Sequence, residues 1–257
     1  MPYPNIRAVV FDMGGTLEDL YFDDASRRKA TLQFQRVLRE MSLDPGLDAA
    51  TLEATVLAGM EAYQAWREAT ERELPPARVW AEYIFPNNGL PSDRLAAAAE
   101  DLTFFYETHY QIRRLRPDAR DVLRTLRARG FRLGVISNII SRTLVPRQLA
   151  AYGIAHLFDP ILTSAEFGWR KPNPRIFHEA ARRLNLSPAE CAYVGDMVSR
   201  DVSGARRAGY GLAIQIRSFL AEKLDRAIGG VAPDVVIGNL SEIILLLISS
   251  SETDHGD

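Results

Sequence analysis

Three polar residues, Asp12, Ser137 and Asp196, each close an apolar run, and Lys171 lies in a loop just before Pro172. Two carboxylates suit a hard divalent cation such as Mg2+, which prefers oxygen ligands and leaves room for phosphate oxygens. A hydroxyl and an ammonium group would hold the remaining phosphoryl oxygens. They would also offset the charge met when a carboxylate nucleophile approaches an anion. The pair Gly14-Gly15 directly after Asp12 lets the backbone fold closely around whatever that carboxylate holds. Lysine is scarce here, with only Lys29, Lys171 and Lys223 against a large excess of arginine, so a lysine in a loop stands out. Each type also has a plain structural use. Asp12 and Lys171 suit turns, Ser137 can satisfy a loop backbone, Asp196 can cap a helix, and Asn138 is first of all a loop former.

The elements that would bring these residues together can be read from periodicity. Ile6 to Phe11 reads as a strand. From about Asp24 to His109 apolar residues recur at helical spacing, as in Phe34, Val37, Leu38 and Met41, then Leu52, Val56, Gly59, Met60 and Tyr63. Breaks fall at Asp44-Pro45-Gly46 and Pro75-Pro76. From Pro117 helices and strands alternate: a helix stopping at Gly130, a strand at Phe131 to Ile136, a helix opened by Asn173-Pro174, and strands at Cys191 to Val194, Leu212 to Ile216 and Val235 to Ile237. That alternation predicts an α/β fold with a parallel sheet and helices on both faces. Right-handed crossovers place all strand C-termini on one edge, so Asp12, Ser137 and Asp196 should meet there. We expect a Rossmann-like three-layer core from 1–17 and 112–249, an inserted all-helical unit over 18–111 and a polar tail at 250–257.

With 257 residues, 47% hydrophobic, 25% charged and a net charge of -2, the chain has the composition of a globular protein. No basic tract points to nucleic acid. The longest apolar run, Ile243 to Ile248, is too short to span a bilayer, so no membrane partner is expected. The lone Cys191 fits a reducing, cytoplasmic setting and reads as a small core residue. The four histidines, His109, His156, His178 and His255, show no metal-ligand spacing. Monomer and homodimer both stay open.

Four motifs in order across nearly the whole chain resemble those of the haloacid dehalogenase-like (HAD) hydrolases. Ile6-Arg-Ala-Val-Val-Phe-Asp-Met-Gly-Gly-Thr16 resembles the first, Gly134-Val-Ile-Ser-Asn138 the second, Gly168-Trp-Arg-Lys-Pro-Asn-Pro-Arg-Ile-Phe177 the third, and Gly195-Asp-Met-Val-Ser-Arg-Asp201 the fourth. The resemblance implies a phosphatase acting on a small phosphorylated metabolite through an aspartyl-phosphate on Asp12. Mg2+ would be held by Asp12, the backbone carbonyl of Gly14 and Asp196. It assigns the phosphoryl group to Ser137 and Lys171, with Gly15 and Asn138 beside it, gives Thr16 a part in orienting the loop, and makes Asp201 a support for the lysine and the metal surroundings. The helical insert would be the family's mobile C1-type cap.

One position departs from the family pattern. Gly14 stands where many members carry a second Asp that protonates the leaving group. Three readings follow. The protein hydrolyses phosphoesters with easy leaving groups or with a substitute acid, for which Glu18, Asp19 and an insert residue are candidates. Alternatively it acts on carbon without metal, as 2-haloacid dehalogenases do, or it binds a phosphorylated ligand or a protein with little catalysis. Cleavage of phosphonates would require an activated amine in the insert, where Lys29 is the only lysine.

Overall fold

The computed structural model describes residues 3, 5–86, 89–225 and 230–248, so the expected tail at 250–257 lies outside the described residues. Strand β1 (Ala8–Phe11) is apolar and buried at every position, as a strand covered on both faces must be. It pairs in parallel with β4 (Arg132–Ser137) on one side and β6 (Cys191–Gly195) on the other. With β5 (Ile161–Thr163), β7 (Leu212–Ile216) and β8 (Val235–Ile237) these form a six-stranded sheet in the order β5-β4-β1-β6-β7-β8. All five pairings are parallel.

Helices cover both faces of the sheet. They are α5 (Ala119–Ala128), α6 (Leu144–Ala151), α7 (Ser164–Phe167), α8 (Pro174–Arg183), α9 (Ser203–Arg207), α10 (Phe219–Leu224) and α11 (Glu242–Ile248). One layer packs Val122, Leu123 and Leu126 of α5 and Ile243 and Leu247 of α11 against Val9, Phe11 and Val135. The other packs Ile176, Phe177 and Ala180 of α8 against Ala8, Val10 and Tyr193. Asn173 caps α8 through Arg175 N, with Pro174 at its first turn, as the sequence predicts. The expected fold class is therefore the observed one.

The insert contains α1 (Asp24–Glu40), α2 (Ala49–Thr70), α3 (Pro76–Val79), which runs into a π-helical turn at Trp80–Ile84, and α4 (Ser92–His109). It has a hydrophobic cluster of its own built on Phe34, Leu38, Val56, Tyr63, Trp80 and Leu102. The buried residues of α2 are the five that periodicity picks out. One element departs from expectation. Glu18–Tyr21 forms β2 and pairs antiparallel with β3, Ile112–Leu115, in a separate two-stranded ribbon. Residues 18–21, expected in the insert, and 112–115, expected in the sheet domain, pair instead as one stem where the chain leaves and re-enters the core.

Candidate active site

The register sets the geometry. Phe11 lies opposite Val135 and Val194, so the residues that follow each strand, among them Asp12, Ser137 and Asp196, gather at one sheet edge. Asp12 Oδ1 accepts from the Met13 amide at 2.7 Å and pairs with Lys171 Nζ at 2.7 Å. The same ammonium donates to Asp201 Oδ1 at 2.7 Å and to the Tyr193 hydroxyl at 2.9 Å. All three of its protons therefore have partners. Asp201 Oδ2 in turn accepts from the Met197 amide at 3.0 Å, which holds that carboxylate beneath the lysine rather than leaving it open.

Asp196 is treated differently. Its Oδ2 accepts from the Ser218 hydroxyl at 2.6 Å and its backbone carbonyl from Gln215 at 3.0 Å, but Oδ1 is buried with no hydrogen-bond partner. Oxygens of Asp12, Asp196 and Asp201 lie within 4.8 Å of one another. Burial, and then repulsion from Asp201 and Asp12, holds the Asp196 carboxyl well above the usual carboxylate range. Asp12 is also raised by burial, against the attraction of Lys171. Such a set of buried oxygens, one unpaired, fits a hard divalent cation. Gly15 makes the approach possible. Its φ is +84°, and a Cβ there would lie 2.1 Å from Asp196 Oδ2.

The other expected residues fall around this centre. Ser137 is buried at the end of β4. Asn138 spends its side chain on the lysine loop: Nδ2 donates to the Lys171 carbonyl at 2.9 Å and Oδ1 accepts from the Lys171 amide at 2.8 Å. The Gly15 amide donates to the Glu18 carbonyl at 2.8 Å, so it is not free to meet a ligand. Thr16 is buried with an unpartnered hydroxyl.

The candidate substitute acids are otherwise engaged. Buried Glu18 accepts from Arg113 at 2.8 Å and from Tyr152 at 2.9 Å. Asp19 is exposed and pairs with Arg116 at 3.4 Å. A Cβ on Gly14 would stand 2.5 Å from Leu20 Cδ1 and 3.7 Å from Arg113 Nη1, so the space beside this glycine is already furnished. Lys29 is exposed on α1.

Several partners escape the sequence reading. Tyr193 supports Lys171 and Asp201 from within β6, Ser218 and Gln215 fix Asp196, and buried Arg116 donates to the Gly15 and Arg217 carbonyls at 3.0 and 2.9 Å. In the sequence only their positions mark them, each within a few residues of a strand end. The insert also reaches this edge. Glu107 of α4 accepts from the amides of Ile140 and Ser141 at 2.9 and 3.1 Å, and its burial pushes the carboxyl up to about 7. Between α2 and α3, the Glu73 amide donates to the Gly168 carbonyl and the Arg170 amide to the Glu71 carbonyl, each at 3.1 Å, and Arg72 bridges Trp169.

A parallel sheet presenting an aspartate, a lysine and two further carboxylates at its C-terminal edge fits a hydrolase with a Rossmann-like core. The family model for haloacid dehalogenase-like hydrolases matches residues 6–209, and the chain belongs to that family. Among its relatives, a glyceraldehyde 3-phosphate phosphatase of Methanopyrus kandleri is 30% identical over 93% of this chain and 96% of its own. A phosphoserine phosphatase of Thermus thermophilus is 34% identical over 73% of this chain and 69% of its own. Among solved structures, a 2-haloacid dehalogenase from Pseudomonas syringae is similar with a TM-score of 0.66 and 25% identity, covering 94% of this chain and 98% of that one. Among the described residues no helix is long and apolar enough to cross a membrane.

Proposed function

We propose that the protein is a Mg2+-dependent phosphatase of a small phosphorylated metabolite. The observation that carries this reading is the contrast between Asp201, pinned by Lys171, Tyr193 and a backbone amide, and Asp196, which keeps one buried oxygen unpaired beside Asp12. Displacement at carbon has no use for that oxygen. The relatives named as phosphatases support the same choice.

In this reading Lys171 and the Met13 amide hold Asp12 Oδ1, leaving Oδ2 to attack phosphorus. The P–O ester bond breaks as the Asp12–P bond forms, and water then cleaves the aspartyl-phosphate to return the carboxylate and inorganic phosphate. Ser137 and Lys171 take phosphoryl oxygens, while Asn138 and Asp201 keep the lysine in place. Asp12, the Gly14 carbonyl and Asp196 would hold Mg2+, which supplies charge neutralisation for the transferring group. With Glu18 and Asp19 paired elsewhere, no carboxylate of this loop is free to protonate the leaving group. Leaving groups of low basicity, or water, must take that part. The helical insert acts as the cap over the site.

Phosphate release from aryl and alkyl phosphomonoesters, with Mg2+ and again with a chelator, tests the reading. Metal-dependent release that falls steeply as the leaving group becomes more basic is expected, as is its loss by roughly 10⁴-fold in Asp12→Asn. Halide release from a 2-haloacid in the presence of chelator, without phosphate release from any ester, would overturn it.

A further inference from the structure

Beside the phosphoryl end of the site lies a second charged group that the reaction at Asp12 does not use. Arg170 is only 1% exposed, and both its Nη1 and Nη2 are buried without a hydrogen-bond partner. Leaving a buried guanidinium unbonded is costly, since its donors lose water and gain nothing. Its nearest counter-charge is Glu73 Oε2 at 3.9 Å, too far for a hydrogen bond. That carboxylate already serves the Tyr63 hydroxyl at 2.5 Å, the Ser164 hydroxyl at 2.7 Å and Arg67, whose Nη1 stands 3.8 Å away. Arg200 adds a third guanidinium that acts electrostatically on Arg170 and also on Asp12 and Asp196. Two arginines, Arg67 and Arg170, thus share the Glu73 carboxylate. Burial, and then repulsion from Arg67, pulls the Arg170 guanidinium down to about 9.

The cluster adjoins the reacting groups. Arg170 immediately precedes Lys171, and Ser164, which donates to Glu73, also binds the backbone of Ile139, two residues past Ser137. Arg67 and Glu73 belong to the insert, Arg170 and Arg200 to the sheet domain. Arg67, Glu73 and Arg170 therefore meet where the insert touches the sheet domain.

We propose that Arg170, with Arg67, receives a second anionic group of the substrate, so that the preferred substrates are short phosphomonoesters that also carry a carboxylate. This rests on the phosphatase reading and narrows it. The planar fork of a guanidinium matches a carboxylate in two parallel hydrogen bonds, which would satisfy the Arg170 nitrogens that the protein leaves bare.

The test compares 3-phosphoglycerate with glyceraldehyde 3-phosphate, which differ in carboxylate against aldehyde at the far end. The wild type should show kcat/KM at least about tenfold higher for the carboxylate, carried by KM. In Arg67→Gln, at a more accessible position, and in Arg170→Gln that ratio should fall toward one. A wild-type ratio at or below one, or a ratio unmoved by both substitutions, overturns the inference while leaving a phosphatase. A binding arm separates the two claims. The Tm of Asp12→Asn should rise more with 3-phosphoglycerate than with glyceraldehyde 3-phosphate. If neither ester is hydrolysed but this difference persists, the anion site stands and the phosphatase reading falls. If the Tm difference is also absent, the anion site falls with it.

Discussion

Arg170 and Lys171 are adjacent cations, 1% and 2% exposed, and the fold treats them in opposite ways. Lys171 has two carboxylates and a tyrosine hydroxyl within 2.9 Å. Arg170 has no hydrogen bond to either terminal nitrogen and one carboxylate at 3.9 Å, shared with Arg67. Burial alone therefore does not distinguish a structural from a functional charge. A charge with every partner supplied by the chain maintains the site's shape, and one left bare is provision for something the chain does not contain.

The sharpest way to break the comparison is to neutralise each cation in turn and measure stability by denaturant unfolding. Lys171→Gln leaves Asp12 and Asp201 facing one another without their shared counter-ion, and breaking a buried pair in this way costs roughly 3–5 kcal/mol. Arg170→Gln removes a group whose donors are unmet. It should change stability by under about 1 kcal/mol, or raise it. Equal losses in the two variants would mean that Arg170 is as much a structural element as its neighbour.

A smaller effect is expected at Gly14, where the space is furnished rather than empty. Gly14→Asp alone presses on Leu20 Cδ1 and brings its carboxylate toward Arg113, which Glu18 already engages. Combined with Leu20→Ala, it should raise kcat on alkyl phosphates by about tenfold or more over the single variant, toward the usual general acid contribution of about 10²- to 10⁴-fold. Steady-state rates for the two variants check this.

Smallest is the proton count on metal binding, which extends the contrast to Asp196 Oδ1, another bare atom. Burial, and then repulsion from Asp201, keeps protons on Asp12 and Asp196 at a pH where ordinary carboxylates are ionised. A cation binds the ionised form, so it must displace them. Apparent Mg2+ affinity should therefore rise with pH, with up to about one proton released near pH 6 and none near pH 9. Calorimetry in two buffers of different ionisation enthalpy reads this directly.

The sheet was legible because its signals are local: buried apolar runs, glycine stops and an Asn-Pro helix start recur at predictable spacing. The meeting of Asp12, Ser137 and Asp196 follows from strand polarity alone. The ribbon of β2 and β3 was not legible. Glu-Asp-Leu-Tyr and Ile-Arg-Arg-Leu are too short and too charged to announce strands, and each forms only because the other lies beside it. Asn138 illustrates the same limit within the site, since its type suggested a loop and only the fold shows that its amide clamps the Lys171 backbone. Whether a buried charge is satisfied is a tertiary property, and Arg170 reads no differently from Lys171 in the sequence.

The join between residues 71–73 and 168–170 bears on how such enzymes can be recombined. Two backbone hydrogen bonds cross it, Asn173 and Arg207 both reach Glu71, and the Arg72 and Arg175 guanidiniums each lie over the Trp169 ring, at 4.2 and 4.3 Å. The helical insert is therefore not an exchangeable module attached only at its two ends. A chimera carrying another member's helices would have to bring a matching turn between the second and third of them, or the lysine-bearing loop would lose one of its two walls.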